Sequence, residues 1–407
     1  MRKILLITYH FPPSGAVAVY RMLGLTRYLP ALGWQPTVIA PPRVPWEPED
    51  TSLLAQIPPG TPVERVPFAS GFFGKITRRI APEAHWLGKA RGPAVRMIRA
   101  QQPAAIITSS PPGCVHVLGM RLSKRFGLPW IADFRDPWVT NRPPSEVCKL
   151  GPCDAWLERR AMKQASVLVA NTPLNQAGWA KAFPEFAAKI VTIPNGFDPE
   201  RFVGVPTVRK SDNIPTMLHA GELYYGRDPR PLLDALKILQ SGPERLPLQI
   251  DFVGRATEGT FDLAEEIRTR VLEDCVSIHG QMPYTQAIQR MLGADILLLL
   301  QAAGHPLGVP AKLYEYLGAG RPILALAEPE GDIAWALRTS KVLHRIAPPT
   351  DVERIKQALV ELTGEIKAGL PAVPEPAALQ QFTRERMAQR FAECLQRCTT
   401  SDPAVQP

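Results

Sequence analysis

Short apolar runs recur along this chain, separated by longer stretches whose apolar residues return every three or four positions. Residues 3–9 form the first run. They show no alternation of faces, as expected of a strand buried on both sides in a parallel sheet. The same pattern predicts strands at 36–40, 104–109, 129–134, 166–171 and 189–194, and a helix over 16–32 closed by Gly33. A second series follows at 215–220, 248–253, 276–279, 295–300 and 322–326, with helices over 231–240 and 284–292. Strands alternating with helices indicate a doubly wound parallel sheet, here twice over. The polar, Pro- and Gly-marked segment 199–213 reads as the connection. The expected division is 1–200, 201–378 and a C-terminal piece 379–407. Two such α/β halves facing each other would place a ligand cleft between them, at the carboxyl ends of the strands.

Composition narrows the class. The chain has 407 residues, 45% hydrophobic and 21% charged, which suits two folded domains. Its 44 prolines gather in connections flanked by apolar segments, which indicates well-defined loops and not disorder. The six cysteines (114, 148, 153, 275, 394, 398) form no Cys-x-x-Cys pair, so a reducing compartment is expected and a zinc site is not. The apolar run before His10 is short for a signal peptide, and no run approaches the roughly 20 residues of a membrane span. The expected location is the cytoplasm. The net charge of +9 favours an anionic membrane face or anionic substrate over nucleic acid, beside a merely soluble basic surface. Within 71–99, Phe72, Phe73, Ile76, Ile80 and Trp86 interleave with Lys75, Arg78, Arg79, Lys89, Arg91, Arg96 and Arg99. Such a segment can lie on an anionic leaflet, or be a helix packed on its own domain with solvated arginines.

Candidate chemistry concentrates in residues 304–326. A glycine-bearing loop runs into a helix beginning near Pro310, and a buried strand follows. The helix start offers unpaired N–H groups and partial positive charge to phosphate oxygens. Lys312 adds a cation there, and Glu315 can turn a carboxylate toward a ribose. An ordinary loop–helix–strand crossover with solvated Lys and Glu is the alternative. Asp133, Arg135 and Asp136 end another strand, where they can bind sugar hydroxyls or an acceptor, or form an internal ion pair. Gly15 permits close approach of a phosphate or acceptor. Arg21, two turns on, can reach acceptor or phosphate, or pair with a carboxylate. His116, among apolar neighbours, reads as a core or helix-surface residue. His219, His279 and His305 stand at strand ends or in the loop, and His305 is the one to test. No metal-ligand spacing appears.

Four landmarks then fall in a familiar order: Phe11-Pro12-Pro13-Ser14-Gly15, Ile193-Pro194-Asn195-Gly196-Phe197-Asp198, Gly308 to Gly320, and Gln381-Phe382-Thr383-Arg384-Glu385-Arg386. Together they resemble the retaining glycosyltransferases of family 4, as a divergent subgroup. The resemblance implies the GT-B fold: two facing Rossmann-like domains and a C-terminal helix crossing back to the first. It implies metal-independent transfer of a hexosyl group from a nucleoside-diphosphate sugar to a glycan or lipid-linked acceptor, with retention, in cell-envelope polysaccharide synthesis. No cofactor is implied beyond the donor itself. The location implied is cytoplasmic, with peripheral attachment to the inner membrane face through 71–99 left open.

By the same resemblance Glu315 is the second glutamate of the family's Glu-x7-Glu signature. The first falls on Leu307, a departure at the sugar-facing position. Backbone N–H groups of Leu307, Gly308 and Val309 can still hold a diphosphate. The family places a basic pair after the first strand of the second domain. Arg227 can fill one position, Glu222 stands at the other, and Lys312 can compensate from the opposite side. Two alternatives stay open: a nucleotide-sugar epimerase of the same fold, and a degenerate nucleotide-sugar binder.

Overall fold

The computed structural model describes the chain except residues 45–46, 69–81, 148–150, 208–213, 224–225, 243–244, 256, 259–260, 370–374 and 401–407. It divides into two compact units. One comprises residues 1–195 and 384–407, the other 196–383. The chain thus changes units at the Asn195-Gly196 turn itself, ahead of the expected 200/201 boundary, and returns at Thr383-Arg384, beyond the expected 378/379 boundary.

The first unit is built on seven parallel strands: β1 (Arg2–Thr8), β2 (Trp34–Ala40), β3 (Val63–Arg65), β4 (Ala105–Ser110), β5 (Trp130–Phe134), β6 (Val167–Ala170) and β7 (Ile190–Thr192). Their order is β3-β2-β1-β4-β5-β6-β7, so the winding reverses between β1 and β4. The central strands β4 and β5 are buried along their whole length, their polar Thr108, Ser109, Ser110 and Asp133 included, as in a parallel sheet covered on both faces. Three helices of this unit matter below: α1 (Val19–Tyr28), α2 (Pro82–Gln101) and α3 (Val115–Phe126). The expected helix over 16–32 is shorter. It ends at Tyr28, and Pro30, which has no N–H to donate, opens a separate 3₁₀ turn closed by Gly33 at φ 84°.

The second unit carries β8 (Thr216–Ala220), β9 (Gln249–Val253), a small hairpin of β10 (Thr257–Glu258) and β11 (Phe261–Asp262), then β12 (Val276–Ile278), β13 (Ile296–Leu300), β14 (Ile323–Leu326) and β15 (His344–Ala347). Six of these strands form a parallel sheet ordered β12-β9-β8-β13-β14-β15, which reverses between β8 and β13. Two helices follow its last strands, α4 (Ala311–Ala319) and α5 (Asp332–Ser340). Gly320, left-handed at φ 65°, ends α4 by donating to the Leu317 and Tyr316 carbonyls. Gly318 of α4 lies against the Phe197 and Phe202 rings so closely that a Cβ there would collide with both.

The final helix, α6 (Arg384–Thr400), returns to the first unit and packs on α1. Gly24 makes that approach possible, since an added Cβ would already press on Met387 and Arg384. The basic segment 71–99 is described only from 82 onward, as α2; residues 71–81 lie outside the described residues. Among the described residues no helix is long and apolar enough to cross a membrane.

Candidate active site

In an open parallel sheet a ligand seat forms where the winding reverses, beyond the carboxyl ends of the two diverging strands. In the second unit those strands are β8 and β13. The loops leaving them hold most of the residues expected to bind a donor.

Lys312 stands in the first turn of α4, and its ammonium lies directly over the Cα of Gly221, the residue after β8. A Cβ on Gly221 would fall on that nitrogen. Gly221 is also held at φ 144°, and its carbonyl packs against Gly254 after β9, where a Cβ would strike it. Two glycines thus clear the floor on which one lysine is laid. Burial first, and the Arg227 cation second, bring the Lys312 pKa down to about 7, against opposing pulls from Glu315 and Glu222. Two cations and two carboxylates therefore converge on one small volume.

The walls are fixed by neutral groups. His219 of β8 is buried and donates from Nδ1 to the Leu298 carbonyl at 3.0 Å. Burial first, then the Lys312 cation, holds its pKa well below the ordinary range, so the ring is neutral. Its Nε2 lone pair, also buried, has no partner. The Tyr316 hydroxyl accepts from the Ala220 N–H at 3.0 Å and donates to the same Leu298 carbonyl at 3.1 Å, which clamps α4 to β8. Glu315 shares a hydrogen bond with Tyr284, whose phenol is pushed up to about 12 by burial and then by that carboxylate. Arg201 donates to the same phenol oxygen at 3.4 Å. Glu222 accepts from Gln281 at 3.0 Å. Asp228, beside Arg227, is held by Arg230 at 2.7 Å.

The loop after β13 differs from expectation in one respect. The Gly308 N–H donates to Asp332 at 2.8 Å, and the Gly304 N–H donates to Glu328 at 2.8 Å. Asp332 is fully buried at the start of α5 and returns its own N–H to the Pro306 carbonyl at 2.8 Å. Gly308 is therefore a bracing residue, not a diphosphate donor. Val309 packs into the core. The Ala311 and Lys312 N–H groups remain as the helix-terminal seat, while the Leu313 N–H already donates to the Pro310 carbonyl at 2.9 Å. Leu307 is half-buried in the loop, and His305 is exposed, its Nδ1 turned back to the Ala303 carbonyl at 3.0 Å.

The first unit revises three more positions. Arg21 and Asp133 form a buried bidentate pair at 2.9 and 2.7 Å. Asp133 also accepts from Ser109 at 2.7 Å, its register partner on β4. The remaining Arg21 donors go to the carbonyls of Ile193 and Pro194 and to Asn195. With every donor engaged inside the fold, Arg21 takes the carboxylate-pairing role and not an acceptor or phosphate role, and Asp133 joins it. Arg135 and Asp136 pair with each other at 2.7 Å, with Asp136 half-exposed. Gly15 donates to the Pro48 carbonyl at 2.8 Å, and a Cβ on Gly15 would press on that carbonyl at 3.2 Å. His116 is a core residue, as expected: it hydrogen-bonds Thr108 at 2.8 Å, and burial lowers its pKa to about 3.

The sequence reading missed one cluster. At the β1 end of this unit's own reversal point, His10 Nδ1 donates to Glu47 at 3.1 Å, and the Ser14 hydroxyl donates to the same carboxylate oxygen at 2.9 Å. The position of His10 just beyond β1 was the available signal; Glu47, 37 residues on, was not. Among the described residues no three His, Cys, Asp or Glu side chains gather as a metal cluster.

Gly221→Ala gives a direct check on this geometry. The new methyl must displace the Lys312 ammonium, and the φ of 144° adds strain of about 1–3 kcal/mol. Nucleotide affinity measured by calorimetry is expected to fall about tenfold or more, while the circular dichroism spectrum is retained.

Comparison with known proteins agrees with this architecture. Residues 15–196 match the glycosyl transferase 4-like domain. A probable glycosyltransferase of Pseudomonas aeruginosa, WbjE, is 25% identical over 141 residues, which are 34% of this chain and 35% of that protein. The match thus spans about a third of that relative's length. Among solved structures, a glycosyltransferase from Rickettsia africae superposes with a TM-score of 0.73 at 14% identity, covering 98% of this chain and 99% of that one. Anabaena Alr3699/HepE in complex with UDP gives 0.66 at 18% identity, covering 97% and 100%. Residues 15–196 carry the likeness to the glycosyl transferase 4-like domain, and the chain has the two Rossmann-like parallel sheets of the GT-B fold.

Proposed function

We propose that this chain transfers a hexosyl group from a nucleoside-diphosphate sugar to a glycan or lipid-linked acceptor, without a metal and with retention, in cell-envelope polysaccharide synthesis. The observation that carries the reading is the Lys312 ammonium laid over Gly221 at the sheet reversal, with Arg227 close by. When the bond between the sugar and the diphosphate breaks, the departing diphosphate gains negative charge. Arg227 and Lys312, the lysine protonated as the anion is bound, stabilise it more than they stabilise the intact donor, and this difference is what accelerates the step. Glu315, one turn further along α4, is the ribose partner in this reading, with Tyr284 fixing its carboxylate.

The domain match over residues 15–196 supports transferase chemistry. Uracil is the first base to try, because HepE was solved with UDP and with UDP-glucose. Leu307 replaces the sugar-facing glutamate of the family pattern, so selection among sugars falls to other residues. The test is thermal stabilisation by UDP, GDP, ADP and dTDP and their sugars, with Glu315→Ala as control. A specific nucleotide is expected to raise the melting temperature by mass action, and Glu315→Ala to lose most of that shift. No shift with any nucleotide would overturn the donor seat. Release of nucleoside diphosphate only in the presence of acceptor would separate a transferase from an epimerase, which alters the donor alone.

A further inference from the structure

We propose that His10, fixed by Glu47 and Ser14, reads a neutral hydroxyl of the acceptor sugar, across a gap of one sugar ring from Arg135. The inference deepens the transfer reaction proposed above and rests on it for the word acceptor. The site itself is built within the first unit and uses no residue of the donor seat.

A carboxylate only accepts hydrogen bonds, so the contact with Glu47 puts the His10 proton on Nδ1 and leaves a lone pair at Nε2. The Ser14 hydroxyl donates to the same Glu47 oxygen and accepts from the Ala16 N–H at 3.2 Å, so its direction is set as well. Thr8 donates to the His10 carbonyl at 3.2 Å, and the Tyr9 ring stands edge-on to the imidazole at 5.3 Å. Joining the loops after β1 and β2 does not require this network. The backbone already joins them, from Gly15 to the Pro48 carbonyl and from Asp50 to the Pro13 carbonyl, both at 2.8 Å. What the side chains add is one orientation and one tautomer of a half-buried ring. Among the described residues its Nε2 has no hydrogen-bond partner.

Strand register places the other end of the site. Thr8 of β1, Ser109 of β4 and Asp133 of β5 stand side by side. The Arg21–Asp133–Ser109 network closes that row, so a ligand at this end of the sheet meets the residues beyond it. His10 and Arg135 each lie two residues past the row, on strands with one neighbour between them, which sets their backbones roughly 10 Å apart. Between them β4 gives way to Pro111 and Pro112, both half-buried. Asp136 holds one terminal nitrogen of Arg135, while the buried Arg135 Nε–H has no acceptor. The ligand class follows from the two ends. The Nε2 lone pair calls for a proton donor, and the Glu47 charge behind it disfavours an anion. The Arg135 cation at the far end disfavours an ammonium. Sugar hydroxyls both donate and accept without charge, and so suit both ends. The role is binding: no bond to the ligand forms or breaks at this ring.

The experiment is NMR of the full chain carrying isotope-labelled histidine. It is titrated with the methyl glycosides of glucose, galactose, mannose and N-acetylglucosamine, and with methyl glucuronide as the anionic probe. Wild type is expected to show His10 as the Nδ1–H tautomer. At least one neutral glycoside is expected to shift its Nε2 signal, and the glucuronide is not. His10→Phe should weaken binding of that glycoside about tenfold. His10→Gln, whose amide can donate to Glu47 and accept a hydroxyl, should weaken it less than about threefold. Glu47→Gln should populate the other tautomer of His10. Each variant is checked for an unchanged melting temperature. Nucleotide-induced stabilisation of the same wild-type sample reports the donor seat separately, so either reading can fail alone. An Nε2–H tautomer in the free protein, an Nε2 signal unmoved by every neutral glycoside, a glucuronide that moves it equally, or unchanged affinity in His10→Phe would each overturn the proposal.

Discussion

Lys312→Met is expected to abolish nucleotide-induced stabilisation and, at the same time, to make the free protein more stable. Both effects come from one burial. The ammonium of the half-buried Lys312 sits against Gly221, and desolvation together with Arg227 lowers its pKa from 10.5 to about 7. Between those two values the unfolded chain binds a proton that the folded chain does not. Stability therefore rises with pH across that window, and below about pH 7 the full cost of the buried charge is present. A methionine of similar shape carries no such cost. At pH 6 we expect Lys312→Met to be more stable than wild type by about 2 kcal/mol, a discounted fraction of what the shift implies at ~1.4 kcal/mol per unit. The difference should shrink as pH rises and vanish near the ordinary lysine pKa. A free protein that lost stability on this substitution would show the site to be solvated. For the ligand the sign reverses. An anion favours the charged lysine, so binding above about pH 7 must take up a proton. Affinity should then fall roughly 50-fold over the two pH units above 7, where the charge of a nucleoside diphosphate is constant. Calorimetry in buffers of different ionisation enthalpy would count that proton directly, and an affinity flat with pH would remove Lys312 from the phosphate seat.

These features were legible in the sequence to different depths. The central strands were read correctly because a strand buried on both faces needs an unbroken apolar run, as at Ile296–Leu300. The edge strands Val63–Arg65 and His344–Ala347 were missed. With a neighbour on one side only, they can keep charged residues such as Glu64 and Arg345, and their runs look like loop. Lys312 and Glu315 were visible as a pair because three residues on a helix share a face. The reason for Gly221 was not visible, since it depends on where α4 delivers a side chain from a distant part of the chain. Gly308 shows the converse: its loop was recognised, but the buried Asp332 that takes its N–H lies 24 residues on, outside any local pattern. Gly15 likewise reads as a ligand-facing glycine until the Pro48 carbonyl is placed against it.

The Arg21–Asp133 pair carries the other large expected effect, and it separates a structural carboxylate from a catalytic one. Arg21 is 3% exposed and Asp133 fully buried. Two guanidinium nitrogens grip the carboxylate, and the other donors hold Ile193, Pro194 and Asn195, where the chain leaves the first unit. Phe391 of α6 covers the guanidinium at 5.2 Å. One side chain thus joins α1, β5, the segment after β7 and the returning helix. Asp133→Asn leaves a buried cation without its counter-charge, and Arg21→Met leaves a buried carboxylate supported by Ser109 alone. Each is expected to destabilise the first unit by about 3–5 kcal/mol in urea denaturation. Arg21→Lys should rescue little, because an ammonium cannot reproduce the planar fork that meets both oxygens and both carbonyls. Arg21→Met/Asp133→Leu should recover most of the loss, since removing both charges removes the desolvation cost with the attraction. An Asp133→Asn protein of unchanged stability that had lost turnover would reverse this assignment and return the carboxylate to the reacting sugar.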